Sequence, residues 1–235
     1  MDGESSKSVM ITAVAEPKEI SVSGAGSCEV TLLLVGSGGY SRSGCAGAGS
    51  GHLVYSALQL SAGTVLRALV GQGSGYADHV HEGNTSVLFS TPVTIDGIPV
   101  EGIMAQPAEV AGFNNGGSGY SGGGGAGYCE SPNPQFAGEG GSGGSDGRDG
   151  YRGQGGEGTG EDISNYVFAT WTLTPGVGGK TASSRFGGGG GGILVDGAGP
   201  QPRKTVGQGY GGGASGYGGD PDRFGVPGLI LMEIN

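Results

Sequence analysis

Between Gly138 and Gly158 the chain reads in triplets: GEG, GSG, GSD, GRD, GYR, GQG, GEG. Gly138, Gly141, Gly144, Gly147, Gly150, Gly153 and Gly156 open them in turn. A period of three is neither the 3.6 of an α-helix nor the 2.0 of a strand. It is the period of the polyproline-II conformation, a left-handed helix with no hydrogen bonds of its own. Every third residue then faces one way, and glycine there leaves bare backbone for a neighbouring segment to approach. Collagen uses this geometry with abundant proline, and these triplets contain none. The triplets therefore predict polyglycine-type helices bundled within one subunit. Their N–H and C=O groups would pair between neighbours, because unpaired backbone is costly inside a protein. The competing reading of the same composition is a flexible glycine linker.

The rest of the chain favours the bundle. Strand patterns fall at Val9–Ala15, Glu19–Ser23, Cys28–Val35, His52–Leu60, Thr64–Val70 and Ser86–Ser90. The apolar end of Cys28–Val35 predicts burial on both faces. Pro92–Val100 contains a two-residue Asp96-Gly97 hairpin, and Glu101–Val110 continues the meander. Tyr166–Thr174, with the only tryptophan, and the apolar ending Gly228–Asn235 complete the strands. A closing strand is expected to pair back near the first ones. Linkers join domains, whereas here glycine blocks interrupt one β fold again and again. The predicted organisation is a flexible segment, 1–8, and a single domain, 9–235. Its strands lie mainly in 9–112, 166–174 and 228–235, and its glycine blocks at about 36–51, 116–160 and 187–219.

Composition bounds the function. The 235 residues include 59 glycines, about three times ordinary usage, yet only 14% are charged, which is too few for ordinary disorder. A net charge of −10 argues against nucleic acid as a partner. No apolar run is long enough for a membrane-spanning helix. The opening MDGESSKSVM does not read as a secretory leader, so the chain is expected to be either intracellular or a mature form.

Candidate sites are few. Of the three cysteines, Cys45 and Cys129 lie in glycine-rich segments, where a bridge would tie two runs together and leave Cys28 free. Three reduced cysteines is the equal alternative. His79 and His81 are the metal candidates, on a loop that reads more simply as exposed, and no metal or other cofactor is expected. Asn84 opens an N-glycosylation pattern that is also plain strand entry. Asp146 and Asp149 fall on one face of a three-fold helix, but Arg148 and Arg152 stand close enough to neutralise them. Tyr120, Tyr128, Tyr151, Tyr210 and Tyr217 punctuate the glycine blocks and read as contact residues on small-residue surfaces. LLLVGSGGYS invites a dinucleotide-binding reading, which fails because Ser41 stands where glycine is required. No catalytic set appears, so no enzymatic activity is expected.

Glu19–Gly24, Leu34–Gly39, Leu66–Gln72 and Phe186–Gly192 together resemble the glycine-rich extracellular region of the anaplastic lymphoma kinase family of receptors. The ending Gly225–Leu231 and the general layout also resemble glycine-rich domains of bacterial surface and phage tail-fibre proteins. The resemblance implies an all-β fold, a jelly-roll-like β-sandwich whose insertions form a polyglycine-II bundle. It carries over no catalytic residue. The expected role is that of a non-enzymatic structural or adhesive protein, extracellular or on a particle surface. It would associate with itself as a fibre or filament subunit, and a surface glycan or protein is a further partner. The tip of a phage or viral fibre, an ice-binding protein and a ligand-binding receptor fragment are the alternatives.

Overall fold

A computed structural model describes residues 7–12, 16–23, 26–41, 45–73, 83–109, 111–112, 114–119, 121–127, 137–143, 145–148, 154–158, 162–181, 185–200, 205–216 and 224–235. Ten strands are named among them: β1 Lys7–Ile11, β2 Lys18–Ser21, β3 Ser27–Val35, β4 Leu53–Ser61, β5 Val65–Leu69, β6 Thr85–Ile95, β7 Ile98–Ala105, β8 Leu173–Pro175, β9 Ile193–Val195 and β10 Leu229–Ile234. They form two antiparallel four-stranded sheets, ordered β1-β10-β3-β4 and β2-β5-β6-β7, and a small β8-β9 pair. The described residues contain no α-helix, and no helix among them is long and apolar enough to cross a membrane.

β3 is buried on both faces, as its apolar run predicts. Val30, Leu32 and Leu34 join Leu58, Leu60, Ile230 and Met232 against Leu66, Ala68 and Val87 of the facing sheet. Leu33 and Val35 point the other way, to a second cluster with Ile163, Phe168, Ile193 and Val195. The sheet ordered β1-β10-β3-β4 is thus a middle layer. Its side chains alternate between two cores because strand side chains alternate between faces.

β10 does pair back near the first strands, inserted between β1 and β3. Leu229–Met232 are fully buried there, so the apolar ending is no exposed surface for another copy to match. The Asp96-Gly97 hairpin is present, with φ of 50° and 82° at its two central residues, the left-handed values such a turn requires.

Several boundaries differ from expectation, three of them instructively. Lys7 and Ser8 belong to β1, so the strand begins within the stretch 1–8 that the sequence reads as flexible. β7 stops at Ala105; beyond it Gln106 O accepts from His52 N at 3.0 Å and Ala108 N donates to Ser37 O at 3.0 Å, toward a glycine block instead of a strand. Tyr166–Thr174 is not one strand: a single 3-10 turn, Ile163–Asn165, leads to irregular backbone, and only Leu173–Pro175 pairs. The reason lies on β10. The carboxylate of Glu233, itself 3% exposed, accepts from Ala169 N at 2.8 Å and Thr170 N at 2.6 Å. The Tyr55 hydroxyl donates to Val167 O at 3.0 Å. Tyr166 stacks on Tyr55 with ring centroids 4.8 Å apart, and Trp171 meets Phe168 edge-on. A carboxylate and a set of rings, instead of a ladder, hold this segment over the second core.

The sheets also bring together the ends of two glycine-rich stretches and set the start of β10 beside the first of them. Val35 pairs with Leu53 across residues 36–52, Pro175 with Ile193 across 176–192, and Leu229 with Val35. The β8-β9 pair is only three residues long, so its main service is this closure.

Burial pushes the Glu233 carboxyl up, but the bonds from Ala169 and Thr170 outweigh it and hold its pKa below the ordinary 4.5. The unfolded chain therefore takes up the proton first on acidification. The contribution to stability is complete above about pH 4.5 and is lost as pH falls through the folded value. Glu233→Gln should cost about 2 kcal/mol in denaturant unfolding at pH 7. It should also flatten the loss of stability that the native chain shows below pH 4.5.

Candidate functional site: a bundle of glycine segments

Six consecutive glycines, Gly187–Gly192, run into β9. Their N–H groups rotate through three neighbouring segments. Gly187 and Gly190 donate to Cys45 O at 2.7 Å and Ala48 O at 2.9 Å. Gly188 and Gly191 donate to Gly138 O at 3.1 Å and Gly141 O at 2.8 Å, and Gly189 and Gly192 to Thr205 O at 3.0 Å and Gln208 O at 2.9 Å. Their carbonyls rotate through three others. Gly187 O and Gly190 O accept from Gly216 and Gly213, Gly189 O and Gly192 O from Gly179 and Gly176, and Gly188 O from Gly125. Gly191 O, where that last series would continue, accepts the Ser121 hydroxyl at 3.1 Å.

The six neighbours close a ring. In order round Gly187–Gly192 they are 211–216, 45–51, 121–127, 138–143, 176–180 and 205–208, and each is hydrogen-bonded to the next. The closing bonds are Ala48 N to Ala214 O, Gly47 N to Gly125 O, Gly141 N to Gly123 O, Gly140 N to Gly179 O, Gln208 N to Val177 O and Gly207 N to Gly213 O. The three segments that receive the central N–H groups run parallel to it, and the three that donate run antiparallel. A methyl group on any of the six central glycines would overlap a carbonyl oxygen, that of Gly125, Gly179, Gly213, Gly122, Gly176 or Tyr210 in turn. Main chain surrounds this segment on every side.

Gly122–Ala126 is a second centre. Gly123 and Ala126 donate to Ser145 O and Arg148 O, Gly124 to Gly117 O, and Gly125 to Gly188 O. Carbonyls 122 and 125 accept from Ser50 and Gly47, 123 and 126 from Gly141 and Gly138, and 124 from Gly156. The two rings share residues 45–51 and 138–143. Where regular backbone pairing lapses between them, two buried serines substitute: Ser50 Oγ and Ser121 Oγ lie 2.7 Å apart, and Gly122 N donates to Ser50 Oγ at 2.6 Å.

The triplet segment is at the edge of this array, not at its centre. Gly138, Gly141, Gly147 and Gly156 do face inward, where a side chain would overlap neighbouring carbonyls. Gly144, Gly150 and Gly153 lie outside the described residues. Yet Gly140, Gly155 and Gly158, which do not open triplets, are as tightly approached, by Gly189, Gly147 and Ser145. Ser142, Ser145, Asp146, Arg148, Gln154 and Glu157 are exposed. Sequence reasoning missed the centre because it sought a period. The available signal was the absence of one: a run with no side chain at all fits only where every direction is occupied.

The other candidates take plain places. Cys45 is 1% exposed and in a disulfide, with its carbonyl at the start of the central segment; Cys28 is a free thiol, and Cys129 lies outside the described residues. Tyr210 is half-buried against the second core and pairs by backbone with Ile193, so it is packing and not a free contact ring. Tyr120, Tyr128, Tyr151, Tyr217, His79, His81, Asp149 and Arg152 lie outside the described residues. Asn84 is half-buried ahead of β6, and the neighbouring Thr85 is fully buried with its hydroxyl accepting Gly71 N at 3.1 Å. Asp146 accepts Gly158 N at 2.7 Å, and Arg148 pairs with Glu139 at 3.0 Å, so these charges brace adjacent segments. Among the described residues no cluster of metal-type ligands occurs. His52, at the junction of bundle and β4, has its pKa lowered from 6.5 to about 4 by burial and is neutral at pH 7. No known family, curated protein or solved structure matches this chain.

Gly190→Ala should cost at least about 3 kcal/mol, because the new Cβ meets backbone that the surrounding ring holds in place. Ser121→Ala should cost about 1–3 kcal/mol by leaving the Gly191 carbonyl unpaired. Gln154→Ala, on the exposed edge, should stay within about 0.5 kcal/mol of the native chain. Equal losses for all three in thermal melts would mean that the bundle is not the stable unit described.

Proposed function

We propose that this chain is a non-enzymatic structural or adhesive module, extracellular or on a particle surface, that associates with itself. Its fold is read as a jelly-roll-like β-sandwich carrying a polyglycine-II bundle. The observation that carries the reading is the rotation of hydrogen bonds round Gly187–Gly192. A three-residue rotation through three acceptors and three donors is what a polyproline-II-type backbone needs when it pairs with neighbours, since it cannot pair with itself. An interior of main chain leaves little room for side-chain chemistry, and what it supplies is stiffness. The disulfide at Cys45 supports an oxidising compartment.

Self-association is read from the sheet edge. β1 is the outer strand beside β10 in its own subunit, so Lys7–Ile11 are committed to their own sheet and the outer side of β1 is what a second copy would meet. Open strand edges accept strands from neighbours. Met10 is 39% exposed on this strand. Addition at β1 of an unlike edge from the second copy, such as the outer strand β4, is head-to-tail, does not close, and so builds fibres. The exposed polar row of the bundle, with its Glu139–Arg148 pair, favours a protein or glycan contact over ice.

Light scattering should show a mass that grows with concentration, and Met10→Lys, which sets a charge on the edge strand, should reduce that growth without lowering the melting temperature. A native chain that stays strictly monomeric at high concentration sinks the proposal.

A further inference from the structure

At the ends of β4 and β5 away from the glycine segments, an open groove of about 500 Å³ lies between the Ser61–Thr64 turn and the middle of β6. Its cause is local. Pro92 has no N–H to give the ladder, and the β6–β7 register breaks between Leu88 and Val93. Ser90 turns its hydroxyl to accept Val65 N at 2.9 Å in the same stretch. Such irregularities bend a strand and re-aim its side chains. Here Thr91 and Thr94 line the groove opposite Gln59, Ser61 and Thr64. Val93, 7% exposed, is the apolar floor.

The lining contains no ionisable side chain, although the chain carries a net charge of −10. Four hydroxyls and one amide offer both donors and acceptors, which suits a ligand that is itself uncharged and both gives and takes hydrogen bonds. The volume lies within the roughly 300–1,000 Å³ of small-ligand sites. An acidic or basic ligand would enter without a counter-charge, and a purely apolar one would leave the hydroxyls unpaired. We infer that this groove is a binding site for a neutral saccharide, with Gln59, Thr91 and Thr94 as the residues that hold its hydroxyls. The inference is separate from self-association, since the groove lies on β4, β5 and β6 and not on β1.

The test is retention of the full chain on immobilised neutral saccharides (maltose, lactose, mannobiose and di-N-acetylchitobiose), beside sialylated and sulfated ones, with competition by the free sugar. The expected result is retention by at least one neutral member and not by the acidic ones. Gln59→Ala/Thr94→Val, at two exposed positions, should weaken that retention at least tenfold with an unchanged melt. Ala62→Arg, which fills the groove mouth from the turn, should abolish it. Failure of every neutral member to retain the native chain, preference for the acidic ones, or retention indifferent to both variants overturns the inference. Concentration-dependent mass in light scattering is untouched by any of these outcomes, so the two proposals fail separately.

Discussion

The hydrogen bonds that rotate round Gly187–Gly192 set the terms for everything else. A backbone of this kind satisfies none of its own groups, so each buried residue needs one neighbour to accept its N–H and another to donate to its C=O. With a period of three, that means six neighbours for a fully enclosed segment. The chain supplies them from six separate stretches, between 45–51 and 211–216 in sequence. Glycine is required at the centre for a steric reason and not for freedom of rotation, since a methyl there would overlap a carbonyl. Toward the rim the demand relaxes: Ala46, Ala48 and Ala214 pack together on one side of 45–51, and charged residues stand on the outer triplets.

Ordering so much glycine is costly, because glycine loses more backbone freedom on folding than any other residue. The sheets meet that cost by closing short loops. Pairing Val35 with Leu53, and Pro175 with Ile193, fixes both ends of a glycine-rich stretch. The sheets in turn are anchored by burial. β3 and β10 serve two cores at once, which makes them a natural base for the bundle. Glu233 extends that anchoring to residues 166–172, where a buried carboxylate substitutes for the missing ladder.

Much of this was legible in the residues. The alternating and apolar runs placed nearly every strand, since burial on one or both faces leaves a period that can be read locally. Asp96-Gly97 marked its turn because few residues accept left-handed φ values in succession. A side chain at Gly138, Gly141, Gly147 or Gly156 would overlap neighbouring carbonyls, but the same holds at Gly140, Gly155 and Gly158, which the period does not single out. Tyr166–Thr174 was misread because its β-rich composition says nothing of a carboxylate on a strand more than sixty residues away. Tyr210 was misread for a similar reason: a large ring in a glycine run looks exposed until Ile193 and the second core are beside it.

By itself the sequence determined the kinds of segment, β strands with apolar faces and glycine runs with bare ones, because those depend on side chains and their spacing. Which glycine run stands at the centre was decided only by the tertiary structure. A glycine segment carries no side-chain code for its partners, and its hydrogen bonds are the same main-chain groups everywhere. Its neighbours are therefore chosen by where the strands deliver its ends, and that is a property of the whole fold.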